Sequence, residues 1–276
     1  MRNNILLPTD FSDNAWSSIV YAMKLFAEQE CTFYLFHSLT LKLSTMSNMT
    51  KQFSSLTKEN AMKELLELKE MAEVSDANSN HRFEIILSFD ELTNAIETEI
   101  IKNKIDLVVI GTKGAKGVKE FFFGSNSVKI IKKMRLCPVL IVPDEFDFVE
   151  PKQIALSTDF NRFFDDKELK YLKLLADMYN LKIRIVHIKD EKHLNDIQKY
   201  NIKVLKDHLD NFEISFHWMP DYTKKAEEIK VFIEDLNIDL LVMVNYKHSL
   251  IEYIFNEPVI KKIGYQPIVP FLVVPE

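Results

Sequence analysis

The stretch from Gly111 to Ser127 reads Gly-Thr-Lys-Gly-Ala-Lys-Gly-Val-Lys-Glu-Phe-Phe-Phe-Gly-Ser-Asn-Ser, and its residue types suit the binding of a polyanion. Gly111 closes a short apolar run that reads as a strand, and Gly124-Ser125-Asn126-Ser127 opens a stretch with helical periodicity. The first N–H groups of a helix have no carbonyl partner within it, and together with the helix dipole they form an anion site. Gly124 lets a phosphate reach those groups without meeting a Cβ, and Ser125 and Ser127 add hydroxyl donors. Between Gly111 and Arg135 stand seven basic residues and one acidic, in a chain whose formal net charge is −6. The spacing is not that of a Walker loop. It is not the dinucleotide fingerprint either, because it follows a fourth strand rather than a first.

Glycine usage sharpens this reading. Five glycines stand among 276 residues, where ordinary usage of about 7% would give roughly 19. Four of them, Gly111, Gly114, Gly117 and Gly124, fall within fourteen residues. Glycine is concentrated where the backbone must turn tightly or approach something closely. The bland alternative is a loop followed by a solvated basic helix face, and Lys116, Lys119, Lys132 and Lys133 read as surface.

A second candidate is the turn Pro8-Thr9-Asp10-Phe11-Ser12. Asp10 reads as a ligand-binding carboxylate or as a turn residue beside the helix cap Ser12, since Asp competes for local backbone N–H groups. The two roles can coexist. Cys31 and Cys137 read as buried thiols, with no CxxC pair for zinc or redox chemistry. The histidines are scattered and form no recognisable catalytic or metal-binding set.

These residues need a scaffold, and the chain repeats it. Ile5-Leu6-Leu7-Pro8-Thr9-Asp10-Phe11 returns as Ile154-Ala155-Leu156-Ser157-Thr158-Asp159-Phe160, at an offset of 149. Asp106–Ile110 returns as Asp239–Met243, and Pro138–Pro143 as Ile268–Pro275. The first half reads as strands near 4–8, 32–38, 83–87, 106–110 and 138–142, with helices over 13–29, 56–73, 91–102 and 125–135. In the second half strands fall near 154–157, 182–188, 212–218, 239–244 and 268–274. Such alternation predicts two tandem doubly wound α/β domains, 1–147 and 148–276, each a five-stranded parallel sheet with helices on both faces. Ligands of such sheets sit outside the carboxyl ends of the strands, where both motifs lie.

The acidic balance argues against a nucleic-acid or membrane-surface partner. No apolar run approaches the ~20 residues of a membrane span. With no signal peptide visible, the expected compartment is the cytoplasm.

Gly111-x2-Gly114-x9-Gly124-Ser125 resembles the ATP-binding signature of the universal stress protein family. Pro8–Ser12 resembles that family's opening turn, and Cys137–Pro143 its closing strand. The resemblance covers the first half fully and the second more weakly, as in a tandem member. It implies ATP, with or without Mg2+, as ligand. Asp10 would hold the adenosine end, Pro8 and Thr9 would line the base, and the Ser38 backbone would face it. Ile110, Gly111, Lys113 and Gly114 would line ribose and phosphates, and Gly124, Ser125, Asn126 and Ser127 would hold the phosphates. Two positions depart from the usual pattern: Asn126 stands where a small apolar residue is common, and Ser38 where valine is. The family's dimers join through their closing strands, which implies pairing of the two halves as a pseudo-dimer, or a homodimer.

At the matching place the second half reads Val244-Asn245-Tyr246-Lys247, then Phe255-Asn256-Glu257-Pro258. No glycine remains, Glu257 opposes a phosphate by like charge, and Pro258 has no N–H to give. One nucleotide per chain is therefore expected, in a stress-response protein that ATP regulates. The alternatives are a slow ATPase or adenylyl-transferring enzyme, and a ligand-free module that binds an unknown protein partner through the polar segment Thr40–Asn60.

Overall fold

The strand order of each half follows from which apolar runs must be buried on both faces. The computed structural model describes residues 2–39, 48–114, 121–122, 125–144, 146–189, 191–219, 225–246 and 268–276. For 48–54, 113–114, 121–122, 125–126 and 225–227 it describes the backbone alone. One unit is formed by Met1–Gly114 with Gly124–Phe148, and a second contains Val149–Glu276. In the first unit the strands are β1 (Asn3–Pro8), β2 (Cys31–Ser38), β3 (His81–Ser88), β4 (Leu107–Gly111), the two-residue β5 (Lys113–Gly114), and β7 (Val139–Val142). Between β5 and β7 lies the two-residue β6 (Phe121–Phe122). The helices of this unit are α1 (Asp13–Leu25), α2 (Asn48–Ser75), α3 (Leu92–Asn103) and α4 (Ser125–Lys133).

The main sheet of the first unit is parallel, in the order β7-β4-β1-β2-β3. Ile5, Leu6 and Leu7 of β1 are all fully buried, as a strand covered on both faces requires. Right-handed crossovers put α1 and α2 on one face and α3 and α4 on the other. The chain steps outward from β1 to β2 and β3, then returns to the far side of β1 as β4. The switch point therefore lies between β1 and β4, the place where sheets of this type hold ligands.

The second unit repeats the plan with β8 (Gln153–Ser157), β9 (Lys182–Ile188), β10 (Ile214–Met219), β11 (Leu240–Asn245) and β12 (Phe271–Pro275). Its helices are α5 (Asp166–Tyr179), α6 (Asp196–His208) and α7 (Lys225–Leu236). The strands are again parallel, in the order β10-β9-β8-β11-β12, with the switch point between β8 and β11.

Two helix bounds differ from the expected ones by more than two residues. α1 stops at Leu25 rather than near 29. The carbonyls beyond that point are taken by side chains from the α2–β3 connection and the first residue of β3: Asn78 Nδ2 donates to the Ala27 carbonyl at 2.7 Å, and His81 Nε2 lies 3.0 Å from that of Phe26. Gln29 N–H then bonds the Phe26 carbonyl and turns the chain into β2. α2 begins at Asn48 rather than near 56, so much of the expected polar connection is helix. Its buried stripe is Ala61, Leu65, Leu68 and Ala72, at the i, i+4, i+7, i+11 spacing of a helix face. That stripe gives no signal for the first two turns. Glu257 and Pro258 lie outside the described residues.

Cys31 and Cys137 are buried free thiols, as expected. Burial pushes both pKa values up from 9.0 to about 12. The unfolded chain therefore gives up these protons from about pH 9 while the folded chain keeps them, so their contribution to stability is lost as pH rises from 9 toward 12. Urea midpoints at pH 8 and pH 10.5 test this. The fall between them is expected to be smaller in a variant carrying Cys31→Ala and Cys137→Ala together.

Candidate functional site

The rim of the first sheet is built by β1 running out into a turn that bonds to itself. Thr9 N–H still bonds the Phe36 carbonyl at 2.8 Å, which extends the ladder by one residue. The Thr9 hydroxyl oxygen then accepts from Phe11 N–H at 2.9 Å. Phe11 takes a left-handed conformation, φ 63°, and this swings Asp10 outward to an exposed position. Asp10 Oδ1 accepts from Ser12 N–H at 3.2 Å and from the Ser12 hydroxyl at 2.5 Å. Ser12 Oγ in turn accepts from Ala15 N–H at 3.3 Å and caps α1. Asp10 is thus a turn residue with an exposed carboxylate, and the two sequence readings of it are compatible in one geometry.

A histidine that the sequence reading passed over fixes this turn. His37 Nδ1 lies 2.8 Å from the Thr9 carbonyl. A carbonyl only accepts, so Nδ1 carries the proton. The His37 ring packs against Phe11 with centroids 4.6 Å apart. The second unit repeats the device. His187 Nδ1 lies 2.8 Å from the Thr158 carbonyl, the Thr158 hydroxyl oxygen accepts from Phe160 N–H at 3.0 Å, and Phe160 has φ 56°. The signal was present in the sequence: His37 and His187 each follow two apolar residues and stand one residue before a strand's end, at offset 150 beside the turn's 149. Because the clamp survives in both units, it belongs to the fold.

Across the switch point, β4 ends at the half-buried Gly111, preceded by the buried Ile110. A Cβ on Gly111 would meet Asn14 Oδ1 at 2.8 Å and the Asn14 carbonyl oxygen at 2.9 Å. Glycine here lets the first turn of α1 pack on the end of β4. Asn14 Oδ1 is buried with no hydrogen-bond partner among the described residues. Beyond Gly111, Thr112 is fully buried and its hydroxyl oxygen accepts from Asp144 N–H at 3.0 Å.

Ser127, on the first turn of α4, donates its hydroxyl to the Gly111 carbonyl at 3.1 Å. This bond docks the N-terminus of α4 beside the end of β4. Ser125 and Asn126 are the first residues of that helix, and Lys113 and Gly114 form β5. Gly124 lies outside the described residues. Pro8, Thr9, Asp10, Ile110, Gly111 and Ser127 are therefore brought to one rim. Ser38 ends the neighbouring strand, and its hydroxyl donates to the Asp90 carbonyl at 2.7 Å.

The corresponding rim of the second unit is closed on itself. Tyr246 donates its hydroxyl to Asp159 Oδ1 at 2.5 Å, at the position that matches Lys113 at offset 133. Asn161 adds its backbone N–H and its side-chain amide to the same carboxylate, at 2.9 and 2.8 Å. Arg162 lies 5.2 Å from the Tyr246 ring centroid and pairs bidentately with the buried Glu168, at 2.7 and 3.1 Å. Burial, with the bond to Asp159, holds the Tyr246 hydroxyl well above the ordinary phenol range. Tyr246→Phe is expected to lower the stability of this unit by about 1.5–3 kcal/mol, the worth of a bond to a charged acceptor. Chemical denaturation reads that loss.

Among the described residues no group of three or more His, Cys, Asp or Glu side chains is placed to hold a metal ion. No helix among them is long and apolar enough to cross a membrane.

Two repeated, doubly wound parallel sheets with motif-bearing strand ends define an α/β protein with its candidate site at a sheet switch point. The model of the Universal stress protein family matches residues 1–143, and the chain belongs to that family. It is 28% identical to the universal stress protein YxiE of Bacillus subtilis over 148 residues, which cover 51% of this chain and 99% of that protein. A universal stress protein of Methanocaldococcus jannaschii is 27% identical over 151 residues, 51% of this chain and 82% of that one. The crystal structure of a universal stress protein from Archaeoglobus fulgidus superposes with a TM-score of 0.72 at 19% identity, covering 99% of this chain and 98% of that one. That likeness extends the fold over both units.

Proposed function

We propose that the first unit binds one adenine nucleotide, ATP with or without Mg2+, at the rim between β1 and β4, and that the bound nucleotide regulates the protein. The observation that carries this reading is the Ser127–Gly111 bond, which docks the free N–H groups of the first turn of α4 beside the switch point. Asp10 offers an exposed carboxylate to the ribose end, and Pro8, Thr9 and the Ser38 backbone border the base. Ile110, Gly111, Lys113 and Gly114 line the middle of the ligand. Gly124, Ser125, Asn126 and Ser127 hold the phosphates. Since the Ser127 hydroxyl is committed to Gly111, Ser127 serves the phosphates through its backbone N–H.

The second unit binds no nucleotide in this manner, because its matching carboxylate is held by Tyr246 and Asn161. Mass spectrometry of nucleotide released from protein purified without added ligand tests the identity. Calorimetry with ATP tests the number, expected to be one per chain. Protein that carries no nucleotide and gives no heat with ATP overturns the reading. Steady phosphate release above about one per second would turn it toward an enzyme.

A further inference from the structure

The base end of the proposed site has a neighbour that no motif predicts. β2 and β3 end in register, Ser38 opposite Ser88, and the chain leaves β3 through Phe89, a residue 39% exposed. Three bonds fix this exit. Leu39 N–H bonds the Ser88 carbonyl at 2.9 Å, the Ser38 hydroxyl donates to the Asp90 carbonyl at 2.7 Å, and Asp90 N–H donates to the Ser88 hydroxyl oxygen at 3.3 Å. Glu91 follows at once as the N-cap of α3. Phe89 thus stands on a tied corner at the carboxyl rim, one strand from the Ser38 backbone. Neighbouring strands are about 4.8 Å apart, so a base lying over Ser38 comes within reach of the Phe89 ring.

Lys58 of α2 places its ammonium 5.1 Å from the ring centroid, the arrangement in which a ring face attracts a cation. A large exposed aromatic on a rigid turn gains little from folding alone. The second unit has Pro220 at the matching sequence position, in the half whose rim is closed.

We infer that Phe89 is the stacking platform for the nucleobase, and so the residue through which the site prefers a nucleotide to a bare polyphosphate. The inference rests on the proposed nucleotide site and names how its base is held. Base–aromatic stacking lost to alanine typically costs about tenfold in affinity.

The test is calorimetric titration of full-length protein with ATP and, separately, with inorganic tripolyphosphate, for wild type, Phe89→Ala and Phe89→Trp. Phe89→Ala is expected to weaken ATP about tenfold and to leave tripolyphosphate unchanged. Phe89→Trp is expected to keep ATP affinity, and ATP should quench emission that wild type, with Trp16 and Trp218 alone, does not show. Equal ATP affinity in wild type and Phe89→Ala overturns the stacking role while leaving the nucleotide site intact. A parallel loss of ATP and tripolyphosphate also overturns it, since the effect would then lie outside the base. Wild type that binds no ATP removes the nucleotide site itself and this inference with it.

Discussion

Gly124→Glu is expected to lower ATP affinity about a hundredfold, with little change in melting temperature. The substitution copies Glu257, which stands at the matching position of the second half. A carboxylate near 4 Å from a phosphate charge costs up to about 4 kcal/mol at an effective dielectric of 20. Solvent screening reduces this to nearer 3 kcal/mol, or about a hundredfold. Calorimetry gives the affinity and a thermal melt gives the stability control. If Gly124→Glu and wild type bind ATP equally, the phosphate loop is wrongly assigned.

Gly111→Val is expected to be the most destabilising substitution on the same rim, for a reason internal to the fold. The new Cβ would stand 2.8 Å from Asn14 Oδ1 and 2.9 Å from the Asn14 carbonyl oxygen. The first atom can swing away, whereas the second is backbone of α1 and moves only with the helix. Overpacking of this kind costs about 3 kcal/mol, which in a unit of this size lowers the melting temperature by about 10 °C. Adding Asn14→Ala removes the 2.8 Å contact and leaves the 2.9 Å one, so the double variant should recover only part of the loss. Full recovery would mean that the backbone approach does not matter.

Gly111 shows how far the glycine pattern could be read from sequence. The cluster marks a place where the backbone turns tightly or approaches something closely, and at Gly111 the structure supplies that partner as Asn14. Val244, buried at the matching place, has the exposed Phe163 where Asn14 would stand. The pair changes together, so folding accounts for Gly111 without a ligand. The case for binding therefore leans on the first turn of α4 and on Gly124.

The α/β architecture was legible because it is written in apolar runs such as Leu107–Ile110, and the duplication because Thr-Asp-Phe occurs at both strand ends. Side-chain commitments were not legible. Ser127 reads as a free hydroxyl in sequence, and only the docking of α4 reveals that it donates to the Gly111 carbonyl. The His37 clamp was missed because its partner, the Thr9 carbonyl, is backbone and leaves no residue signature. In sequence Tyr246 is only part of a stretch without glycine, and its reach to Asp159 needs the strand order β8-β11 to bring the two ends together.

Among the described residues, five other than glycine hold left-handed backbone: Phe11, Lys104, Phe160, Asn180 and Asn237. Lys104 and Asn180 cap the ends of α3 and α5, where many proteins place glycine. Each accepts a strain of order 1 kcal/mol in the folded chain. The return is in the other state: a side chain at these positions leaves the denatured chain fewer backbone conformations than glycine would, so less entropy is lost on folding. The scarcity of glycine that drew attention to one loop is thus also a property of the unfolded ensemble, which is stiffer for it along its whole length.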